Sequence, residues 1–491
     1  MSAFLSGAGL LVAAGCAAAS ILLPAGRVRG AAMLAALVLF PALILGDQWH
    51  THRIVELRHH EVRAAVGIVV GVLLVVALAW VFGRWPVLLP LAVIGLLPFR
   101  VPLESGGETA NLLVPLYAVI AGGVLATIHS PPPAEERGPR RLGKALAAFV
   151  VLYALQALYS VDFSKGLQEA CFFLVPFTLL YILLREVPWD RRLLAWTLGL
   201  IAVEAIAFML IGSVEYASRA LFWNEAVIRS NEFHTYFRVN SVFWDPNIYG
   251  RYLALVLVVL ATAVLWIKDR RVFWLLCGAI LLLWIGLAQT FSQSSFVALL
   301  AGLAVLAALR WSWRWTLAVV AVGAVGAALV VILVGGKGFD FGKLNVDTSG
   351  RANLVSGGAE LFSARPLQGY GSGSFQSAYR DHHESDKAPV TISHTEPVTV
   401  AAEQGLIGLV VYVGLVVVAL WTMGAGLWGR DRDRAPPHVF VARAAALAAF
   451  VALLVHTMAY AGFFQDPITW VLLAIGASLA AAPAAAIPDP A

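Results

Sequence analysis

The residues able to do chemistry are few in this chain, and they gather in three short stretches. The first runs from Arg238 to Tyr252 and reads RVNSVFWDPNIYGRY. Asp245 followed by Pro246 is an N-cap and first-turn pair, so a helix starts there. Asn247 and Arg251 then lie one turn apart on the same face. A helix N-terminus with an arginine one turn in suits an anion such as a phosphate. Arg251 can equally snorkel toward lipid head groups while Asp245 only caps. Arg238 stands a few residues outside this helix, where an arginine is either an anion ligand or a solvated side chain.

The second stretch is the long segment from Gly336 to Glu396. A loop of this length is usually functional. Arg351 opens a run, Ala352 to Phe362, with the apolar spacing of an amphipathic surface helix. Gly369, Gly371 and Gly373 alternate, which points to a tight turn or a close backbone approach. His394 comes just before the next apolar run. Glu396 follows it, and Glu403 lies two turns further on. A histidine fixed at a membrane boundary can act as a general base near neutral pH, with Glu396 or Glu403 able to orient its ring. His382, His383 and Glu384 raise the question of a metal site with His394. Their spacing matches no zinc pattern, and no metal or other cofactor is expected.

The third stretch is QTFSQSSF, Gln289 to Phe296, a short turn whose hydroxyls and amides either line a polar cavity or cap two helix ends. The histidines at 50, 52, 59 and 60 read as an interfacial loop.

Apolar helices must hold these stretches in place. The chain is 60% hydrophobic and 13% charged, with a mean hydropathy of +0.82. Soluble domains are about 25% charged, and a bilayer core needs about 20 apolar residues per helix. Apolar segments fall at 3–23, 31–46, 64–83, 86–98, 110–128, 145–160, 167–185, 191–212, 247–267, 272–290, 293–310, 314–335, 396–422, 440–463 and 467–482. The expected fold is an all-α polytopic integral membrane protein. It has about 13–15 transmembrane helices and a large outer loop containing short amphipathic helices. The short segment 86–98 can form half of a re-entrant hairpin with 110–128.

Most of the lysines and arginines fall in one alternating set of short loops, among them Arg27, Arg29, Arg84, the Arg137–Lys144 run and Arg430 to Arg434. That set is cytoplasmic by the positive-inside rule, which places 213–246 and 336–395 outside. The organisation read from this is N-terminal membrane helices over 1–128, a cytoplasmic linker over 129–144, a membrane core over 145–482 and a disordered tail over 483–491. No basic stripe with interleaved aromatics points to nucleic acid. Cys16, Cys171 and Cys277 lie in apolar segments and read as packed thiols.

Taken in order, these motifs resemble the O-antigen ligase and O-antigen polymerase superfamily, the lipid-linked glycan transferases. The helix-start motif is carried by Arg238, Ser241, Phe243, Pro246 and Asn247. The turn between two spans is carried by Thr290 and Ser292, with Gln293 where the family usually has arginine. The outer-loop motifs are Arg351, then Pro366, Leu367, Gly369, Gly371 and Phe375, then His394, then Glu403, Gly405, Leu406, Ile407 and Gly408. The common His-Asn pair is His394–Thr395 here. The resemblance runs from about residue 140 to 425, and the 366–408 cluster is its specific part.

The resemblance implies transfer of a glycan from a polyprenyl-diphosphate carrier to an acceptor hydroxyl, at the outer face of a bacterial cytoplasmic (inner) membrane. The acceptor is a glycan, lipid or protein hydroxyl. Such enzymes invert the anomeric centre and use no metal. On this reading His394 is the base, Arg351 and Arg238 hold the diphosphate, and Arg251 is a weaker third ligand. Asn247, Glu396 and Glu403 support them. The rival class is a transporter or flippase of lipid-linked sugars, which carries charged or broken positions in mid-span. Glu204 is the clearest such position here. A non-catalytic scaffold leaves the arginines and histidine unexplained.

Overall fold

The computed structural model describes residues 3–51, 54–55, 59–99, 101–105, 108–129, 140–222, 227–228, 231–232, 236–321, 351–383, 393–428 and 436–481. Among these residues ten helices are long and apolar enough to cross a membrane. The protein is an all-α, multi-pass membrane protein. The N-terminal part comprises α1 (Ala3–Leu22), α2 (Arg27–Asp47), α3 (Glu61–Arg84), α4 (Leu88–Leu96), a hairpin of β1 (Val101–Ser105) and β2 (Glu108–Leu112), and α5 (Val114–His129). The antiparallel hairpin, with Val101 opposite Leu112, was not legible as strand in the apolar pattern. It joins α4 to α5, which pack side by side, and the nine residues of α4 are too few to cross a bilayer alone.

The chain continues as α6 (Arg140–Ala157), α7 (Phe163–Glu169), a π-helical turn (Ala170–Leu174), α8 (Val175–Arg185), α9 (Arg191–Ser218), α10 (Pro246–Trp266), α11 (Arg270–Thr290) and α12 (Gln293–Arg310). After the long loop come α13 (Arg351–Ala364), α14 (Phe375–His382), α15 (Glu396–Gly424), α16 (Pro437–Thr457) and α17 (Pro467–Ala480). The expected span 314–335 lies mostly outside the described residues, as do most of the linker 129–144 and all of the tail 483–491.

Aspartates set where several helices begin. Asp190, Asp245, Asp269 and Asp466 each accept hydrogen bonds from amides of the first turn they cap. Two apolar cores result. One joins α1, α2, α6 and α8 to α15 and α17, so the N-terminal helices share a core with the C-terminal half. The other joins α9, α10, α11 and α12 to α16. At one end of the bundle Arg29 is ion-paired with Glu186, and Arg185 lies 3.8 Å from the same carboxylate. At the other end Arg238 meets Asn247, in the first turn of α10, and Thr290, the last residue of α11.

Candidate active site

The glycine turn and the break in α15 are two halves of one device. Gly405 has φ +63° inside α15, and the helix breaks there. A break leaves amides and carbonyls without their i→i−4 partners, which is costly in an apolar surrounding. The loop 366–371 supplies those partners. The amides of Leu406 and Ile407 donate to the carbonyls of Pro366 (2.7 Å) and Leu367 (3.3 Å). In return the amides of Tyr370 and Gly371 donate to the carbonyls of Ala402 (3.2 Å) and Glu403 (2.7 Å). Side chains complete the exchange, since Gln156 donates to the Gln404 carbonyl at 3.0 Å and Tyr159 to that of Gln368 at 2.7 Å.

Only glycine fits this crossing. Gly369, Gly371 and Gly373 have φ of +68°, +96° and +77°, a region that L side chains rarely adopt. A Cβ at Gly371 would lie 2.2 Å from the Ser160 Cα. Gly371→Ala is therefore expected to lower the yield of folded protein sharply, read as loss of the monodisperse peak in detergent. A neutral substitution at exposed Leu367 serves as the control.

The carboxylates expected beside His394 make their hydrogen bonds elsewhere. Glu403 accepts from the amides of Gly373 (2.9 Å) and Phe375 (3.1 Å). Glu396 accepts from the amides of Gly462 (2.8 Å) and Phe463 (3.1 Å). Neither hydrogen-bonds the His394 ring among the described residues. They fasten the glycine turn and the 460–465 segment to α15, and so position the site indirectly.

His394 itself is half-buried with φ +62°, a strained backbone for a histidine. Next to it Ser393 Oγ and Thr399 Oγ1 lie 2.7 Å apart, and Thr395 Oγ1 donates to the Met458 carbonyl at 2.9 Å. Tyr460 faces the imidazole with ring centroids 6.4 Å apart. Burial holds the His394 pKa below its usual value. The nearby Arg351 cation acts in the same direction, and Asp245 opposes both. Asp245, the cap of α10, is thus a carboxylate whose charge acts on the imidazole.

Arg238 is held by its surroundings. Its Nε donates to the Thr290 carbonyl at 2.9 Å and its Nη2 to Asn247 Oδ1 at 3.0 Å. Burial lowers its pKa, Asp245 raises it, and Arg351 lowers it. The backbone that carries it is fixed by buried Glu215, which accepts from the amides of Asn240 (3.2 Å) and Ser241 (2.7 Å). Arg351 opens α13. Among the described residues neither Arg238 nor Arg351 has a carboxylate within ion-pairing distance. Arg251 differs. It is buried, and its Nη2 lies 2.6 Å from Asp466 Oδ2, the cap of α17. The expectation that Arg251 snorkels to lipid, or offers a free charge to phosphate, does not match this pairing.

The structure therefore brings His394, Arg351, Arg238, Asn247 and Asp245 to one end of the bundle, and sets Arg251 deeper. Among the described residues no three His, Cys, Asp or Glu side chains gather as metal ligands. His383 Nε2 instead lies 3.2 Å from Glu360 Oε2. Gln293 is exposed on α12 and turns away from the buried hydroxyls beside it. Glu204 sits within α9, where it accepts from the Tyr252 hydroxyl at 3.4 Å.

The model of the O-antigen ligase family, Wzy_C, matches residues 278–413. Over this segment the chain is similar to the O-antigen ligase family. None of the curated proteins matches the chain. The ligase segment runs from within α11 into α15, so it holds the Thr290–Ser295 turn, Arg351, the glycine turn, His394 and Glu403. Arg238, Asn247, Glu215, His456 and Asp466 lie outside it, yet their side chains complete the same end of the bundle. Sequence reasoning passed over the last three of these. Asp466–Pro467 repeats the Asp245–Pro246 cap signature and offered a signal; nothing local marks Glu215 or His456.

Proposed function

We propose that this protein transfers a glycan from a polyprenyl-diphosphate carrier to an acceptor hydroxyl at the outer face of the cytoplasmic membrane. The observation that supports this best is the convergence of two arginines without carboxylate partners among the described residues, Arg238 and Arg351, with a half-buried, neutral-leaning histidine. A lipid diphosphate is its own leaving group. Its transfer needs cations to hold the departing charge and a base to take the acceptor's proton. Arginine forks match phosphate oxygens bidentately. His394 takes the proton from the acceptor oxygen as that oxygen attacks the anomeric carbon. The bond to the diphosphate breaks on the opposite side, so the anomeric centre inverts, and no metal is required. Arg251, already neutralised by Asp466, supports the site from below.

The test uses purified protein and a polyprenyl-diphosphate oligosaccharide, with EDTA present, and follows release of the carrier diphosphate and the configuration of the new bond. Inverted product with EDTA present supports the reading. A retained configuration, or loss of activity with EDTA, overturns that part of it.

The placement outside the cytoplasm has its own test. A cysteine at Ser377, in α14, is expected to react with an impermeant maleimide in intact cells, or in spheroplasts where an outer membrane is present. A cysteine at position 130 is expected not to react. Labelling at 130 alone would invert the topology and remove the site from its substrate.

A further inference from the structure

His456 sits one residue from the end of α16 and is fully buried. Its Nε2 lies 3.2 Å from Ser294 Oγ and 3.4 Å from Ser295 Oγ. Ser292 Oγ lies 2.7 Å from Ser295 Oγ, 3.2 Å from Ser294 Oγ and 3.0 Å from Asn247 Oδ1. Asn247 Oδ1 also receives Arg238 Nη2 at 3.0 Å. A chain of contacts thus runs from a buried histidine to the guanidinium at the mouth of the site.

The direction of the protons follows from which groups can only donate. A guanidinium has no acceptor, so the Asn247 atom facing Arg238 must be the carbonyl oxygen. That oxygen cannot donate, so the Ser292 hydroxyl donates to it. The single proton of Ser292 is then spent, and Ser295 must donate across the 2.7 Å contact. Ser295 in turn can only accept; with its proton on Nε2, His456 donates to Ser295 Oγ at 3.4 Å and to the nearer Ser294 Oγ at 3.2 Å. The chain reads His456 to Ser295 to Ser292 to Asn247, with Arg238 donating from the other end. The backbones approach closely enough for this only because position 250 is glycine, where a Cβ would lie 2.6 Å from Ser295 Oγ.

We propose that His456 is a positioning residue: through Ser295, Ser292 and Asn247 it fixes the fork of Arg238. This rests on the reading that Arg238 binds the donor diphosphate. Asn247 Oδ1 holds one nitrogen of the fork and the Thr290 carbonyl holds Nε, so the remaining N–H groups face the ligand in a set direction. With the chain broken at His456, Ser295 and then Ser292 are free to rotate, and Arg238 keeps its charge but loses its aim.

The experiment compares donor KM and kcat for purified wild type, His456→Leu, His456→Gln and Ser292→Ala, and adds the double variant Arg238→Lys/His456→Leu. His456→Leu is expected to raise the donor KM about 3- to 10-fold, the worth of one buried hydrogen bond. Acceptor KM stays within about 2-fold, since the arginine faces the donor. His456→Gln, which keeps an N–H near the Nε2 position, restores most of the loss. Combined with Arg238→Lys, the His456→Leu effect is expected to vanish, because the fork it positions is already gone. A purely structural role would give additive losses and no rescue by glutamine, and that result overturns the proposal. Should His456→Leu not fold, an unchanged donor KM in Ser292→Ala overturns it equally. Wild type that transfers nothing from a polyprenyl-diphosphate donor would instead overturn the functional reading beneath it.

Discussion

His394→Ala is expected to lower glycan transfer roughly 10²- to 10⁴-fold, the usual contribution of a general base, while the donor still binds. Binding survives because Arg238 and Arg351 lie on other elements and neither depends on the imidazole. The pH profile gives a sharper readout than the rate alone. The base must be neutral to accept a proton. Burial and Arg351 hold the His394 pKa below its ordinary value, so the acid limb of kcat/KM is expected below about pH 6.5, the unperturbed histidine value. Activity rises with pH through that limb and is flat above it. A bound diphosphate offsets the Arg351 charge and raises the histidine pKa again. The acid limb of kcat should then lie at higher pH than that of kcat/KM. His382→Ala and His383→Ala are the controls, since His383 is engaged with Glu360 outside the site. A His394→Ala enzyme with wild-type turnover, or an acid limb unchanged in that variant, would remove the base from this position.

Helix positions were legible from composition, because the bilayer demands about 20 apolar residues per crossing and polar groups cannot hide in it. The glycine turn was legible as a turn, yet its partner was not. That Gly405 breaks α15, and that 366–371 repairs the break, is a long-range exchange of backbone hydrogen bonds with no periodicity to betray it. The same holds for the carboxylates. Glu396 and Glu403 stand near His394 along the chain, which suggested they orient it. A helix turns by about 100° per residue, and their side chains leave toward Gly462 and Gly373 instead. Asp245, more than a hundred residues away in sequence, is the acid that the imidazole feels. Arg251 was visible as an arginine one turn into a helix, suited to an anion or to lipid head groups. Its neutraliser, Asp466, caps a helix far along the chain, and only the packing of α10 beside the start of α17 reveals the pair.

Arg351→Lys is expected to reduce transfer roughly 10²- to 10³-fold, on the scale of losing one preorganised donor to a developing anion. The substitution keeps the charge and loses the planar fork that reads two phosphate oxygens at once. Arg351 opens α13 and has no carboxylate partner among the described residues. It also acts on His394, whose pKa it depresses. The two roles separate cleanly. Arg351→Lys leaves the cation in place, so its acid limb should stay near that of wild type while the rate falls. Arg351→Ala removes the cation as well, and the imidazole pKa rises. Its acid limb should therefore move to higher pH, in addition to the loss in rate. Arg238→Ala should raise the donor KM with a smaller movement of the limb, because Arg351 is the cation whose charge lowers the His394 pKa. The measurement is the pH dependence of carrier-diphosphate release for the three variants, with folding checked by monodispersity in detergent. Wild-type turnover in both Arg351→Lys and Arg238→Ala would take the diphosphate away from these arginines. A limb that stays in place in Arg351→Ala would show that the charge is not felt at the base.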